Sequence, residues 1–356
     1  MKKDVPALTS LRFFAAAWVL LYHLRIIGGF ELPVGLEQVV QCGPMAMTFF
    51  FVLSGFVLVV ASQGENPWDH YPRYAYRRFA RIYPLYLAFL IMFWVMVGFA
   101  KNPEGSSWPS LLALGFSDIS LTGAWFPQAF MGGFGRGGTW SLSVELFCYA
   151  LFPSILFISR QLSCDTLRRA VTWSVGLAAL GPIMGRYVPP SGAFNEVMFY
   201  SMPIFRLPEF AAGVFYADWT LRDSSRVPSG PAVAWKLLLL VAFLLLFARV
   251  IPFGGCDIAL IPFLLALFAH TLSSEQNFFL RTVAARPFVF LGEISYGIYL
   301  MQIITIEFYA KHSPGPHGYV ELGMCFALTI MLAAIGRYVI EKPARLWVLR
   351  MKGGVS

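Results

Sequence analysis

The chain is short of charge. Of its 356 residues only 13% are Asp, Glu, Lys or Arg, against roughly 25% in an ordinary soluble domain. Too few charged groups are present to clothe a surface of this size in water, which excludes a soluble globular architecture. Cysteine is sparse as well. The five cysteines, Cys42, Cys148, Cys164, Cys256 and Cys325, form no C-x-x-C pair and no Cys/His ligand spacing. Buried single thiols are what that pattern leaves, with no metal site and no disulfide framework expected. G-x-S-x-G is missing, so there is no nucleophile elbow. A literal G-x-G-x-x-G occurs at Gly133–Gly138, but no strand precedes it, and a flexible approach to the next apolar run accounts for it better than a dinucleotide loop. The net charge of +8 is scattered over short loops rather than gathered on one stripe, so a nucleic-acid partner is not expected. No internal repeat is visible.

Apolar sequence is what the chain has in plenty, at 58% hydrophobic and 17% aromatic residues. Segments long enough to cross a bilayer fall near 8–27, 44–62, 83–100, 139–158, 171–187, 198–218, 233–251, 255–272, 287–309 and 320–340. The expected fold is an all-α polytopic membrane protein of about ten transmembrane helices, a single membrane domain over 1–356 with no fused soluble domain. The N-terminal Lys2 and Lys3 followed by an apolar run superficially resemble a signal peptide. The run continues into Arg25, so it reads as an uncleaved first span. The stretch 101–138 reads as an irregular or re-entrant cap. With the N-terminus in the cytoplasm, seventeen Lys and Arg residues fall in inner loops or tails and six in outer ones. That asymmetry predicts that both termini are cytoplasmic and that the protein lies in the cell (inner) membrane of its host.

The first span carries two ionisable groups, Arg12 and His23. Eleven positions bring a helix back to within about 20° of the same face and separate the two by roughly 16 Å along the axis. A shared face with one polar group near each end predicts a polar track, Arg12 at the cytoplasmic mouth and His23 near the outer surface. Inside a membrane span a histidine points to function more than to packing, and a neutral imidazole is the form a general base needs.

Three further clusters bear on chemistry. Arg77, Arg78 and Arg81, close to Arg73 and level with Arg12, read in two ways: a clamp for the phosphates of a nucleotide-containing donor, or a topological anchor at the lipid headgroups. Glu145, in Trp140-Ser141-Leu142-Ser143-Val144-Glu145, falls about six residues inside the outer end of its span. At that depth it is expected either to orient His23 and stabilise its imidazolium or to join a packing network with Ser141. Arg206 and Glu209, three apart on one helix face, read as an internal ion pair first and as the lining of an acceptor cavity second.

Taken together, these stretches resemble the membrane acyltransferase-3 family of O-acyltransferases. The resemblance runs from Leu11 to Arg345. It comprises Arg12 with ten residues before His23, Phe50-Phe51-Val52-Leu53-Ser54-Gly55-Phe56, Arg77 to Pro84, Trp140 to Glu145, Arg206 with Glu209-Phe210, Ser295 to Leu300, and Glu341-Lys342-Pro343. It implies ten-span proteins that move an acyl group, commonly acetyl, from cytoplasmic acyl-CoA to a hydroxyl of a carbohydrate or lipid-linked glycan acceptor, with no permanently bound cofactor. It also implies an Arg12–His23 signature and a role for Arg77, Arg78 and Arg81 at the CoA end. One departure stands out: Gln302 occupies a position where members commonly carry histidine. The competing class is a carrier that flips or exports a lipid-linked sugar or small metabolite along the same buried charges, and a third reading is a non-catalytic partner in envelope assembly.

Overall fold

The computed structural model describes residues 5–32, 36–63, 65–97, 108–126, 139–188, 198–223, 255–272, 278–312 and 317–350. Among these the architecture is all-α, and the only β feature is an isolated bridge between Phe30 and His317. The first helix, α1 (Pro6–Ile26), opens on a proline in its first turn, where the missing N–H would have had no partner anyway. A short α2 (Glu37–Gln41) leads into α3 (Met45–Ala61), and α4 follows (Tyr71–Val97). Next come α5 (Trp108–Ile119), α6 (Trp140–Gln161), α7 (Cys164–Ala178), α8 (Leu180–Tyr187) and α9 (Pro203–Arg222). The C-terminal part holds α10 (Gly255–Thr271), α11 (Phe278–Val283), α12 (Arg286–Glu293), α13 (Ser295–His312) and α14 (Tyr319–Gly336). A π-helical turn, Arg337–Glu341, joins α14 to α15 (Lys342–Arg350).

Among the described residues, four helices are long and apolar enough to cross a membrane: α1, α4, α6 and the continuous run Tyr319–Trp347. A fifth span arises if α12 and α13, bent by 61° at Ile294, are taken as one. Large apolar side chains stand outward on these elements, among them Val95, Phe157, Val320 and Met324. A surface of that kind is stable only against lipid.

The structure redraws several expected boundaries. The third span begins at Tyr71, so the arginine cluster lies inside a helix and not in a connecting loop. The fifth is broken into α7 and α8, and the ninth is broken at Ile294. The expected span at 233–251 lies outside the described residues.

Helix direction follows from the ties at the helix ends. Arg160, at the end of α6, donates to the Ser62 carbonyl at the end of α3 (3.0 Å). Arg222, at the end of α9, donates to the Leu162 carbonyl just past α6 (2.8 Å). At the opposite end, the Tyr200 hydroxyl donates to the Pro44 carbonyl just before α3 (2.9 Å). Helices α3, α6 and α9 therefore run in the same sense.

Two glycines let α3 and α9 meet backbone to backbone. A Cβ on Gly55 would strike the Phe210 carbonyl, and one on Gly213 would strike the Val52 carbonyl. Small residues at such a crossing supply the close packing that membrane helices rely on in place of a hydrophobic driving force. Around it lie the fully buried rings of Phe56, Phe152, Phe210 and Phe268.

Candidate active site

Helix α4 sorts its arginines by face. Arg78 and Arg81 are three apart and look the same way, into a cavity of about 260 Å³ that Arg12, Ser54, Tyr149 and Arg345 also line. Arg73 and Arg77 are four apart and look elsewhere, into a neighbouring cavity of about 210 Å³ with His70 and Asn66. Arg78 borders both. Four guanidinium groups thus converge on the first cavity from α1, α4 and α15, a charge arrangement suited to phosphate oxygens.

The arginine-lined cavity adjoins a smaller chamber of about 50 Å³, reached past the shared residues Arg12, Phe50 and Ser54. Glu145, Ser141, Ser295, Tyr296 and Tyr299 line this chamber. Ser141 and Tyr299 share a hydrogen bond of 2.6 Å between their hydroxyls. Tyr299 is also within 3.7 Å of the Met47 sulfur. The Tyr296 hydroxyl donates to the Ile82 carbonyl on α4 (2.8 Å), which fixes the broken start of α13 against the arginine helix.

Glu145 sits in this chamber and not beside His23. It accepts a hydrogen bond from the Tyr149 hydroxyl one turn along α6, lies 3.5 Å from the Ser54 hydroxyl, and its charge acts on Arg12, Arg78 and Arg81. The reason for this placement is geometric. Helix α6 does not start level with the start of α3: its first residue, Trp140, packs on Phe51, already six residues inside α3. Ser54, which faces Glu145, is nine residues in, about 14 Å of helical rise. Glu145 therefore lies about half-way along α3, level with Arg12. A second carboxylate, Glu341 of the π-helical turn, is also buried, 3.6 Å from Arg337 and within electrostatic reach of Arg12, Arg81 and Arg345.

His23 lies higher on α1. Flanking it, Leu20 and Leu24 share an apolar cluster with Ile298 and Ile306, which puts His23 level with Gln302. Among the described residues, Gln302 is the polar side chain that acts on the imidazole. His23 lines none of the three cavities described above. The chamber stops at Tyr299, one helical turn below Gln302, whose Nε2 donates to the Tyr299 carbonyl (2.9 Å).

Arg206 and Glu209 form an internal ion pair of 2.5 Å with side chains 5% and 2% exposed. The Arg206 Nε donates to the Tyr200 carbonyl (2.6 Å), and its guanidinium lies 3.8 Å from the Tyr200 ring centroid. The pair lines none of the three cavities; it ties α9 to the segment before it, as the simpler of its two readings expects.

A profile described as an acyltransferase domain matches residues 5–336. The chain belongs to the acyltransferase-3 family. It is 30% identical to the acyltransferase MdmB of Streptomyces mycarofaciens over 95% of this chain and 91% of that protein. It is 24% identical to the putative peptidoglycan O-acetyltransferase YrhL of Bacillus subtilis, over 96% of this chain and 55% of that protein. With the exopolysaccharide production protein ExoZ of Rhizobium meliloti it shares 28% identity over 76% and 78% of the two chains. No solved structure matches. The protein is thus an acyltransferase and, by its apolar helices, a multi-pass membrane protein.

Within this acyltransferase, Arg12, Arg78, Arg81 and Glu145 come together, Arg77 stands in the adjoining cavity, and His23 lies beyond the chamber. Sequence reading missed Ser54, Tyr149, Arg345 and Tyr299 as site residues. Ser54, Tyr149 and Tyr299 carry no charge, so only their neighbours reveal them. Arg345 reads as one more cytoplasmic basic residue until α15 folds back on α4.

Proposed function

We propose that this acyltransferase takes an acyl group, acetyl first among them, from acyl-CoA on the cytoplasmic side of the cell (inner) membrane and delivers it to a hydroxyl of a carbohydrate or lipid-linked glycan. The observation that carries this reading is the pair of adjoining cavities, which lead from a mouth of four arginines past Arg12 to Tyr299. The printed names of relatives as peptidoglycan O-acetyltransferase and exopolysaccharide production protein support the acceptor class.

In this reading the nucleotide phosphates of the donor lie against Arg12, Arg78, Arg81 and Arg345, with Arg73 and Arg77 within reach in the second cavity. Bidentate, charge-assisted hydrogen bonds hold them. The pantetheine arm enters the smaller chamber and carries the thioester toward the level of His23. His23 accepts the proton of the acceptor hydroxyl as that oxygen attacks the thioester carbonyl. The C–S bond then breaks, and the departing CoA thiolate takes the proton back from the imidazolium. Glu145, held by Tyr149 and Ser54, balances the arginine charge while the donor is away. Arg206 and Glu209 keep the acceptor side of α9 in place without touching the donor path.

The test is thiol release. Purified protein supplied with acetyl-CoA and a glycan acceptor is expected to release CoA in an acceptor-dependent way, and His23→Ala is expected to lose about 10²–10⁴-fold of that rate. Movement of a lipid-linked sugar across vesicles with no thioester consumed would overturn the reading in favour of a carrier.

A further inference from the structure

Two buried polar atoms face each other across the α1–α13 contact without partners. The Nδ1 of His23 and the Oε1 of Gln302 are both inaccessible to solvent and make no hydrogen bond of ordinary geometry, although the two side chains lie within interaction range of each other. Unpaired buried atoms of this kind are costly, so native structures rarely keep two side by side without a use. The leucines and isoleucines around them hold the register, since Leu20 and Leu24 bracket His23 while Ile298 and Ile306 stand one turn to either side of Gln302.

The orientation of the amide is fixed by its other end. A carbonyl oxygen only accepts, so the group 2.9 Å from the Tyr299 carbonyl is the Gln302 NH₂, and Oε1 is left as an acceptor toward α1. No charged side chain among the described residues acts on the imidazole. The neighbouring Tyr22 ring lies 5.4 Å away between centroids, and Arg25 is turned aside into a 2.8 Å ion pair with Glu37.

We propose that Gln302 is a positioning residue that accepts a hydrogen bond from His23 Nδ1–H, holds the ring in that tautomer and leaves Nε2 bare as the base. A small rotation of either side chain makes the bond and satisfies both orphaned atoms at once. The role usually given to a carboxylate behind a histidine is filled here by a neutral amide. Glu145, the carboxylate expected for it, is occupied with the arginines. The inference rests on His23 acting as the base.

Three variants and one spectrum test it. Gln302→Leu is expected to lower kcat about 10–100-fold with donor KM unchanged, because the wrong tautomer forfeits part of the general-base contribution. Gln302→Glu keeps an acceptor and is expected to stay within about threefold of wild type, with the acid limb of its pH–rate profile moved up by about one unit. A packing role reverses that order, since a buried carboxylate is costlier than a buried leucine. The ¹⁵N spectrum of histidine-labelled wild-type protein, with the His23 signals assigned by their loss in His23→Ala, is expected to report the Nδ1–H form. Wild-type kcat and pH profile in Gln302→Leu overturn the proposal, as does an Nε2–H signature, and the spectrum decides if the variants do not fold. An active His23→Ala enzyme would instead sink the functional reading beneath it.

Discussion

At the scale of single residues, the arginines of α4 differ in what they face, and their substitutions should differ accordingly. Arg81 looks into the cavity it shares with Arg12, whereas Arg77 borders the neighbouring one. A hydrogen bond to a charged group contributes about 1.5–3 kcal/mol, so Arg81→Gln is expected to raise the KM for acetyl-CoA by about 10–100-fold. Arg77→Gln, with a solvated partner, should raise it only about two- to fivefold. Steady-state kinetics of CoA release at fixed acceptor measures both. Equal effects would mean that the two faces of α4 serve one site without distinction.

Glu145 illustrates how far residue type alone goes. That a carboxylate inside a span needs a partner is legible from sequence. Which partner is not, because distance from a helix end gives a side chain's level in the bundle only when neighbouring helices start together, and α6 starts six residues deeper than α3.

At the scale of elements, the interior proline of α6 is supported by a neighbour. Pro153 has no N–H to offer the Tyr149 carbonyl four residues back, and the Tyr74 hydroxyl of α4 donates to that carbonyl instead (3.0 Å). Tyr74→Phe should cost about 1 kcal/mol. In a Pro153→Ala background, where the helix regains its own donor, the same change should cost little. A double-mutant cycle read by thermal unfolding in detergent measures the difference, and equal losses in both backgrounds would show that the hydroxyl is not compensating for the proline.

The α3–α9 crossing is the other element-level dependency. Gly213→Ala drives a methyl group into the Val52 backbone, and overpacking of that kind costs about 1–3 kcal/mol. A lowered unfolding temperature with the Gly213→Ala protein is the expected result, and Gly176→Ala, which has open space around it, serves as the control.

At the scale of the whole molecule, the helix directions have a topological consequence. The end of α6 and the end of α9 lie together with the end of α3, while the end of α1 meets the start of α14 through the hydrogen bond from Glu31 N–H to the His317 carbonyl (3.1 Å). With the N-terminus inside, Glu31→Cys should react with an impermeant maleimide added outside intact cells, and Gln161→Cys should react only after permeabilisation. The reverse pattern would invert the orientation that the basic residues imply.

Composition and periodicity determined that this chain is helical and membrane-embedded, because burying a helix in lipid is a property of each segment by itself. They also marked Arg12, His23, Glu145 and the α4 arginines, because ionisable groups in a membrane are rare enough to stand out one at a time. Tertiary structure alone decided who meets whom. It put Glu145 among the arginines, split Arg77 from Arg81, paired Arg206 with Glu209 away from the cavities and set Gln302 beside His23. Those outcomes depend on where helices start, break and cross, and such quantities are fixed by packing between segments that lie far apart in the chain.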